Sequence, residues 1–433
     1  MSKEILRQAY DAWTAAADMR RRRARCKRYT YGDQWSDTVV DADGRAVREE
    51  YLLCQSGNRP LINNLIRQLV KTIVGRYRSE KSFADVYELE QVAEAARRNC
   101  LRELDSRMLE EFLISGAAVQ RVSRDGCRGA DELLVENVDF RRFFVNEFYD
   151  PRGRDIDLIG MLHDMTFPEM AARFAGGSRT RADMLRGLFT GDAAPAQASL
   201  SIGGGTADPE FFRARSSGRC RVIEVWTLDS STVCRDDEVE FNFRWHCRWL
   251  APDGTLLAEY DSPFAHGSHP FVVKFYPLTD GEVHSFVEDV IDQQKAINRL
   301  IVLVDKIMAS SAKGVLLFPR DQMVENMSWD EICRRWAQAD GVIPISGKGT
   351  HLPQQVMTNP NASGACQVLQ LQMKLFDDIS GVSDSLLGRA TGARGADLYE
   401  SQVKNATIAL ADIFDTFTSF TDDRNDKLIR TRA

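Results

Sequence analysis

Residues 285–312, SFVEDVIDQQKAINRLIVLVDKIMASSA, do more than any other stretch to decide the fold. Apolar residues recur at alternating steps of three and four, a spacing that places them on one face of an α-helix. The residues on this stripe are Val287, Val290, Gln294, Ile297, Ile301, Val304 and Met308. A helix of this length would extend about 40 Å at 1.5 Å per residue. Because the stripe is narrow, we expect the helix to pack lengthwise against neighbours and not to lie inside a globular core.

A small α/β module is predicted directly after this helix, within residues 313–358. Apolar runs predict strands at 315–318 and 341–345, and a helical pattern lies between them at about 329–339. A helix returns at residues 362–379, and its apolar face again has a spacing of three and four. The residues of this face are Val368, Leu371, Leu375 and Ile379.

A glycine-rich loop, residues 381–396, separates this helix from a last long helix that begins near residue 397. The loop has two cations, Arg389 and Arg394, and its glycines give the backbone conformational freedom. The glycines that we assign to a possible contact surface are Gly388, Gly392 and Gly395. A flexible surface connection between two helices is the alternative interpretation.

The first half of the chain has the pattern of a mixed α and β region. Helices are predicted at residues 60–80, from Pro60, and at 90–115. Residues 176–218 are rich in Gly, Ala, Ser and Pro, which predicts a long surface insertion. Short runs of Val, Phe, Trp and Tyr at 219–277 predict a β-meander.

The N-terminal residues 3–28 predict a helix that ends in a run of cations. The candidate contact residues of the run are Arg20, Arg21, Arg22, Arg23 and Arg25. Cations are favourable at a helix C-terminus, so a solvated basic end is one interpretation. A contact with nucleic acid or with an acidic partner is the other.

The overall charge and the cysteines exclude several classes of protein. The formal net charge is -7, whereas tight nucleic-acid binders normally have a basic excess. Apolar runs are too short for a membrane-spanning helix, and the N-terminus lacks a signal-peptide pattern, so we expect a protein of the cytosol in which it is made. Nine cysteines without a CxxC pair predict reduced thiols and no zinc site.

No sequence motif nominates a catalytic centre or a cofactor. The segment 341–350, GVIPISGKGT, resembles a phosphate-binding loop but has the wrong spacing, and Gly349 stands where a hydroxyl residue is required. We therefore expect a non-enzymatic protein with no cofactor and no metal. A metal-dependent nucleic-acid-processing enzyme that uses the scattered acidic residues remains an alternative.

The order of these elements resembles the portal proteins of tailed bacteriophages, the head-to-tail connectors. Four segments are similar to the family's early wing helix, its wing segment, the strand leading into the first stem helix, and the second stem helix with its tunnel loop. They are residues 57–80, 135–174, 269–319 and 379–402, and the third contains a Gln-Lys-x-x-Asn pattern at Gln294, Lys295 and Asn298.

The resemblance implies an α+β fold with a mixed α/β wing containing a β-meander, a long helical stem, a small α/β clip and a tunnel loop. Residues 1–59 would form an N-terminal helix and basic arm. The other implied parts are the wing 60–283 with its insertion 176–218, the stem helices 284–312 and 359–380, the clip 313–358, the tunnel loop 381–396 and a long wing helix 397–433. Because the sequence ends soon after that helix, we expect the family's C-terminal crown to be absent or very short.

The resemblance also implies partners and a location. The chain would form a ring, usually a dodecamer, at one capsid vertex of the virion, assembled in the host cytoplasm. Double-stranded DNA would pass through the ring during packaging and ejection. Terminase, a tail adaptor and the major capsid or scaffold protein would dock to it, and no membrane would be involved.

Two sets of contact residues follow from the resemblance. Arg389 and Arg394 would line the channel as weak, sequence-independent DNA contacts. The clip interface would contain Trp329, Arg334, Arg335 and Trp336. Another ring component of the virion, such as a tail adaptor, is the remaining alternative.

Overall fold

The structure of the chain is a computed structural model. It describes residues 2–80, 90–125, 132–190, 208–235, 238–311, 315–324, 327–337, 342–347, 351–356, 362–382, 408 and 410–432. These residues form a mixed α and β structure, as the sequence predicts. The chain divides into two compact units. Unit 1 contains Met1–Asp33, Asn64–Ile291 and Asp377–Ala433, and unit 2 contains Gln34–Asn63 and Asp292–Phe376.

Unit 1 contains two antiparallel sheets and most of the helices. Its first helices are α1 (Ser2–Ala15), α2 (Ala17–Thr30), α4 (Leu65–Glu80), α5 (Glu90–Arg98) and α6 (Leu101–Ser115). A three-stranded sheet has the order β10-β3-β4, with β3 (Ala117–Asp125), β4 (Glu132–Asn137) and β10 (Phe271–Phe275). The C-terminal helix α13 (Ala411–Arg432) packs on β3 and β10.

The second sheet has the strand order β5-β6-β7-β8-β9, so each strand pairs with its neighbour in sequence. Its strands are β5 (Phe143–Val145), β6 (Leu158–Met165), β7 (Cys220–Arg235), β8 (Glu238–Leu250) and β9 (Leu256–Asp261). The β-meander was expected at residues 219–277, and the structure shows it for residues 220–261, whereas β10 at the end of that range belongs to the three-stranded sheet. On β6, a Cβ at Gly160 would lie 2.2 Å from the carbonyl oxygen of Glu224, so only glycine fits there.

Strands β7 and β8 continue beyond the rest of this sheet. The pairing of β6 with β7 ends at Leu158 opposite Thr227, and that of β8 with β9 ends at His246 opposite Asp261. Residues 229–235 and 238–244 pair with each other, from Asp229 opposite Arg244 to Arg235 opposite Glu238. We call these two stretches the ribbon.

Aromatic side chains dominate the core of unit 1. One cluster contains the fully buried Phe143, Trp226, Trp249 and Phe271. A second cluster packs α1 against the five-stranded sheet, with Trp13 and Phe144 fully buried. At about 25 cal/mol per Å² of apolar surface, burial of these large side chains stabilises the unit.

Three helix boundaries of unit 1 differ from the predicted ones. The single helix expected at 90–115 is interrupted at Cys100, whose φ of 51° is outside the helical region. The helix expected at 3–28 consists of α1 and α2, with Ala16 between them. The helix expected from Pro60 begins at Leu65, and its buried face consists of Ile66, Leu69, Val70 and Ile73.

The described residues of the insertion at 176–218, which are 176–190 and 208–218, contain two helices. Helix α7 (Phe167–Phe174) precedes it, and helices α8 (Arg179–Thr190) and α9 (Pro209–Phe212) lie within it. Leu185 and Phe211 are fully buried. The absence of periodic structure expected from the composition was therefore wrong for these two helices, and Leu185 and Phe211 pack into the core of unit 1.

Unit 2 is built around the helix expected from the opening stretch. This helix, α10 (Glu288–Ser311), begins in unit 1 and continues into unit 2. The other described strands and α-helices of unit 2 come from both of its segments. They are β1 (Thr38–Val40), β2 (Ala46–Arg48), α3 (Glu49–Gln55), β13 (Val315–Leu317), α11 (Trp329–Ala337), β14 (Gln354–Val356) and most of α12 (Ala362–Ser380). The remaining small hairpin, β11 (Pro277–Thr279) with β12 (Glu282–Val283), lies in unit 1.

The small module after α10 has the predicted first strand and helix but a different second strand. β13 pairs antiparallel with β14, from Val315 opposite Val356 to Leu317 opposite Gln354. The second strand was expected at 341–345, and the described residues of that range, 342–345, are not in a strand. Instead, the backbone N–H of Ser346 donates to the carbonyl of Gln322 at 2.9 Å.

Candidate interaction surfaces

A buried amide network fixes the segment 34–63 to α10 within unit 2. Asn298 donates through Nδ2 to Oε1 of Gln34 at 2.6 Å and accepts from the backbone N–H of Asn63 at 3.2 Å. Gln294 donates through Nε2 to the carbonyl of Asn63 at 2.7 Å and to Oδ1 of Asn298 at 3.0 Å. All three side-chain amides are buried. Gln294 therefore makes buried polar contacts, although the other residues of its stripe on α10 are apolar.

Two ion pairs extend this contact along the same helix. Lys295 Nζ lies 2.8 Å from Oδ2 of Asp37, and both side chains are mostly buried. Arg299 donates through Nε and Nη2 to Oε1 of Glu49, at 2.9 and 2.6 Å. The Gln-Lys-x-x-Asn pattern thus has a structural role, which is to hold residues 34–63. The sequence provided the pattern but not its partners, which are more than 230 residues away.

The far ends of the predicted apolar stripes are exposed in the single chain. On α10, Met308 is 58% exposed, whereas Ile297 is fully buried. On α12, Val368 and Leu371 are 45% and 54% exposed. These exposed apolar side chains lie on two helices, and Val368 and Leu371 are three residues apart on the same face of α12. Exposed apolar residues that recur on one helix face fit a contact with another chain.

The four predicted clip residues lie on one short helix, α11. Trp329 is exposed, and its ring packs edge-on against Phe318 at 6.2 Å between centroids. Arg334 and Arg335 both pair with Glu331, at 3.3 and 2.9 Å. Trp336 is half-buried. The helix is anchored by Ile332, which is buried, so Trp329 remains available to a partner.

The predicted basic contact residues lie on α2 but do not form one continuous cationic surface. Arg23 is buried and makes a bidentate pair with Glu111, at 2.7 and 2.8 Å. Arg20 stacks over Trp13, and burial lowers its pKa to about 10. Arg21 pairs with Asp18, and Arg22 lies 3.4 Å from Nδ1 of His284. Arg25 lies over Tyr29. Much of the run is thus used within unit 1, which the sequence could not reveal.

A buried charge cluster joins the two sheets of unit 1. Glu224 of β7 accepts from Arg121 of β3 at 3.1 Å and from the indole N–H of Trp226 at 2.9 Å, and it lies 2.7 Å from Nε2 of His163. Burial alone would raise the pKa of Glu224, but Arg121 and His163 hold it well below its usual range. Burial lowers the pKa of His163. We assign the cluster a structural role, because both Arg121 and His163 pair with the buried carboxylate of Glu224.

Helix α13 docks on the rest of unit 1 through several polar contacts, among them those of Arg424 and Lys427. Arg424 and Asp105 are both fully buried and form an ion pair, with Nη2 3.2 Å from Oδ2. Lys427 donates through Nζ to the carbonyls of His269 at 2.8 Å and Phe271 at 2.6 Å. Burial lowers the pKa of Lys427 to about 7. The helix that follows the glycine loop is therefore fixed to the rest of unit 1.

The predicted DNA contacts lie outside the described residues. Arg389 and Arg394 and the glycines Gly388, Gly392 and Gly395 all belong to that part of the chain.

In the parts that the structure does describe, no group of three or more His, Cys, Asp or Glu side chains could hold a metal ion. None of the helices in these same parts is long and apolar enough to span a membrane.

Exposed apolar residues on helices that are otherwise anchored to the chain fit a protein that associates with other chains. The family model of the Phage P22-like portal protein matches residues 180–429, more than half of the chain. The chain therefore belongs to the P22-like phage portal protein family, which confirms the resemblance found in the sequence. No curated protein matches the chain at a significant level.

Proposed function

We propose that the chain assembles into a dodecameric ring through which double-stranded DNA is packaged into and ejected from a phage capsid. The observation that carries the proposal is the exposed apolar surface on α10 and α12, in a chain that belongs to the portal family. A neighbouring copy would cover these residues on each side. Such contacts between different faces of identical chains generate closed rings when the rotation closes.

In this proposal, α10 and α12 are the stem and residues 313–358 are the clip. The wing consists of residues 60–283 with the helix at 397–433. The segment 34–63 would move with the stem, because the amide network fixes it to Gln294 and Asn298. The ring would occupy the capsid vertex of the virion after assembly in the host cytoplasm.

The loop at 381–396 is proposed to line the channel. DNA must slide, so a conduit benefits from few cationic contacts, since each neutralised phosphate adds affinity. The net charge of -7 agrees with a mostly neutral or acidic wall. An Arg389→Ala, Arg394→Ala variant would slow packaging if the loop touches DNA, and unchanged packaging would favour a plain surface connection.

The clip is proposed to bind terminase and, later, a tail adaptor. Trp329 is the residue of this module that best fits a contact, because it is a large exposed aromatic side chain on an anchored helix. The remaining surface of the basic helix α2 would face the major capsid protein, scaffold protein or DNA. A Trp329→Ala variant that forms rings but no longer binds terminase would support this assignment.

Electron microscopy of the purified chain tests the proposal most directly. Class averages should show rings of about a dozen copies, with a central hole of roughly 20 Å or more, the width needed for a duplex. Monomers or compact dimers at high protein concentration would contradict the proposal. A parallel incubation with DNA and Mg²⁺ should leave the DNA intact, whereas cleavage would favour a nucleic-acid-processing enzyme.

A further inference from the structure

Unit 1 contains a cavity whose inner wall is aromatic. Its volume is about 340 Å³, and it lies between α2, β5 with the residues that follow it, and the β11–β12 hairpin. The rings of Phe148 and Phe275 lie 5.1 Å apart between centroids, and Phe140 packs edge-on against Phe275 at 6.1 Å. All three rings line the cavity and are buried. An apolar stem placed against them would be removed from water, which is favourable.

The size of the cavity favours a small molecule over a helix or strand of another chain. Pockets that hold small molecules have volumes of about 300–1,000 Å³, so this cavity lies at the lower end of their range. A helix with its side chains is about 10 Å wide and needs a longer groove. The cavity therefore suits a small ligand with an apolar part.

The charges around the cavity select a cation. Four acidic residues line it together with one cation, Arg22. The acidic residues are Asp18, Glu147, Asp280 and Glu282. Asp18 pairs with an arginine of its own helix, and Glu282 lies 3.3 Å from a nearby histidine. Glu147 and Asp280 are exposed and make no ion pair among the residues that the structure describes. A positively charged ligand would complement these two carboxylates, whereas a neutral or anionic one would not.

These two carboxylates belong to segments that meet at Tyr149. Glu147 follows β5, and Asp280 lies in the turn between β11 and β12. A Cβ at Gly281 would lie 2.8 Å from the ring of Tyr149, so this ring packs directly on the turn. Tyr149 lines the cavity and is 61% exposed, which leaves part of its ring free. Because an ammonium group is attracted both to an aromatic ring and to carboxylates, this edge of the cavity suits an ammonium group.

We propose that the cavity binds a linear aliphatic polyamine. Its methylene chain lies against the phenylalanine rings, and its ammonium groups lie at the edge beside Glu147 and Asp280. A ligand with one ammonium group would leave one of these carboxylates without a partner, and an inorganic cation would gain nothing from the aromatic wall. A polyamine satisfies both the carboxylates and the wall. The site does not depend on ring assembly, because one chain provides all of it.

Isothermal titration calorimetry of the full-length chain with spermidine tests the site. Spermidine should bind saturably, with a single molecule in each chain. The double variant Glu147→Gln with Asp280→Asn should bind it about tenfold more weakly, because both substitutions remove a charge and keep the shape of the side chain. n-Butylamine has an apolar stem but a single ammonium group, so it should also bind about tenfold more weakly to the wild type. Mg²⁺ at the same concentration should not displace spermidine.

A matched control removes two negative charges elsewhere. Asp43→Asn with Asp183→Asn changes two exposed aspartates that do not line the cavity, and it should leave the affinity for spermidine unchanged. Equal weakening by the two double variants would show that spermidine responds to the net charge of the chain, which would overturn the site. A wild-type chain that does not bind spermidine would also overturn it and would favour a basic side chain of another protein as the occupant.

Hydrogen exchange locates the bound ligand. With spermidine, exchange should slow at residues 145–149 and 277–283 and should not change at residues 220–228 of β7. Slower exchange only at other residues would overturn the site even if calorimetry detects binding. The outcomes also separate this inference from the proposed function. Rings that do not bind spermidine would overturn the polyamine site alone, and spermidine binding by chains that never form rings would overturn the proposed function alone.

Discussion

The two units of the chain use apolar residues in opposite ways. Unit 1 buries its aromatic residues in two clusters and pairs its buried charges. In unit 2, the described residues include five buried apolar ones and twelve large apolar ones that are exposed, so this unit has little core of its own. The five buried residues are Trp35, Ile297, Val302, Ile332 and Phe376. A small core provides little stability, so unit 2 depends on its polar network and, we infer, on neighbouring copies.

The largest expected effect comes from the buried ion pair of unit 1. Arg424→Met leaves the Asp105 carboxylate buried without its charged partner, which should lower the free energy of unfolding by about 3–5 kcal/mol. Thermal unfolding followed by circular dichroism measures the change.

Arg430→Met is the matched control, because Arg430 lies on the same helix and its pair with Asp426 is exposed. Its effect should be about 0–1 kcal/mol. Equal melting temperatures for the two variants would show that the buried pair does not stabilise unit 1.

The amide network of unit 2 should have an intermediate effect. Asn298→Ala leaves the amide of Gln34 and the backbone N–H of Asn63 without their partner, at a cost of about 1–3 kcal/mol. Hydrogen exchange should become faster at residues 34–63 and remain unchanged in the sheets of unit 1. Gln370→Ala, an exposed amide on α12, is the control. Unchanged protection of 34–63 would mean that other contacts hold this segment.

The pH dependence of stability should reflect Lys427. Its pKa is lowered to about 7 in the folded chain, whereas an unfolded lysine stays protonated up to about 10.4. Between these values the unfolded state binds more protons, so stability rises with pH, by at most about 1.4 kcal/mol per pH unit. A neutral amine still has two hydrogens for the carbonyls of His269 and Phe271.

Urea unfolding of the wild type and of Lys427→Met at pH 6 to 9 measures this contribution. The free energy of unfolding of the wild type, minus that of the variant, should increase with pH above pH 7 and should be constant below pH 7. A difference that does not change with pH would mean that Lys427 keeps its proton in the folded chain.

The smallest effect on the folded chain should come from the exposed apolar surface. Val368→Ser with Leu371→Ser should change the free energy of unfolding by no more than about 0.5 kcal/mol, because both side chains are exposed. The same variant should form far fewer rings in sedimentation velocity. The control variant Lys374→Ser changes an exposed residue of the same helix, and it should alter neither the free energy of unfolding nor the amount of assembled rings. Normal assembly of the double variant would show that this face of α12 does not take part in the contact between copies.

Periodicity predicted the elements whose residues pack locally. The long helix α10, the strands of the meander and the first strand and helix of the small module all follow from spacing along the sequence. The break at Cys100 and the two helices inside the insertion were not predicted, because long-range packing of residues such as Leu185 and Phe211 outweighs local composition. The pairing of β13 with β14 was missed for the same reason, since strand partners are set by contacts far apart in sequence.

The sequence by itself determined the α+β class, the portal family and the stripe on α10, because these depend on composition and on periods of two and 3.6 residues. Only the tertiary structure decided what the polar residues do. It assigned Gln294 and Asn298 to a segment more than 230 residues away, and Arg23 to Glu111. It also brought the strained turn at Leu278 beside the aromatic residues of β5. Such contacts depend on how distant segments meet in space, and one-dimensional spacing does not record that.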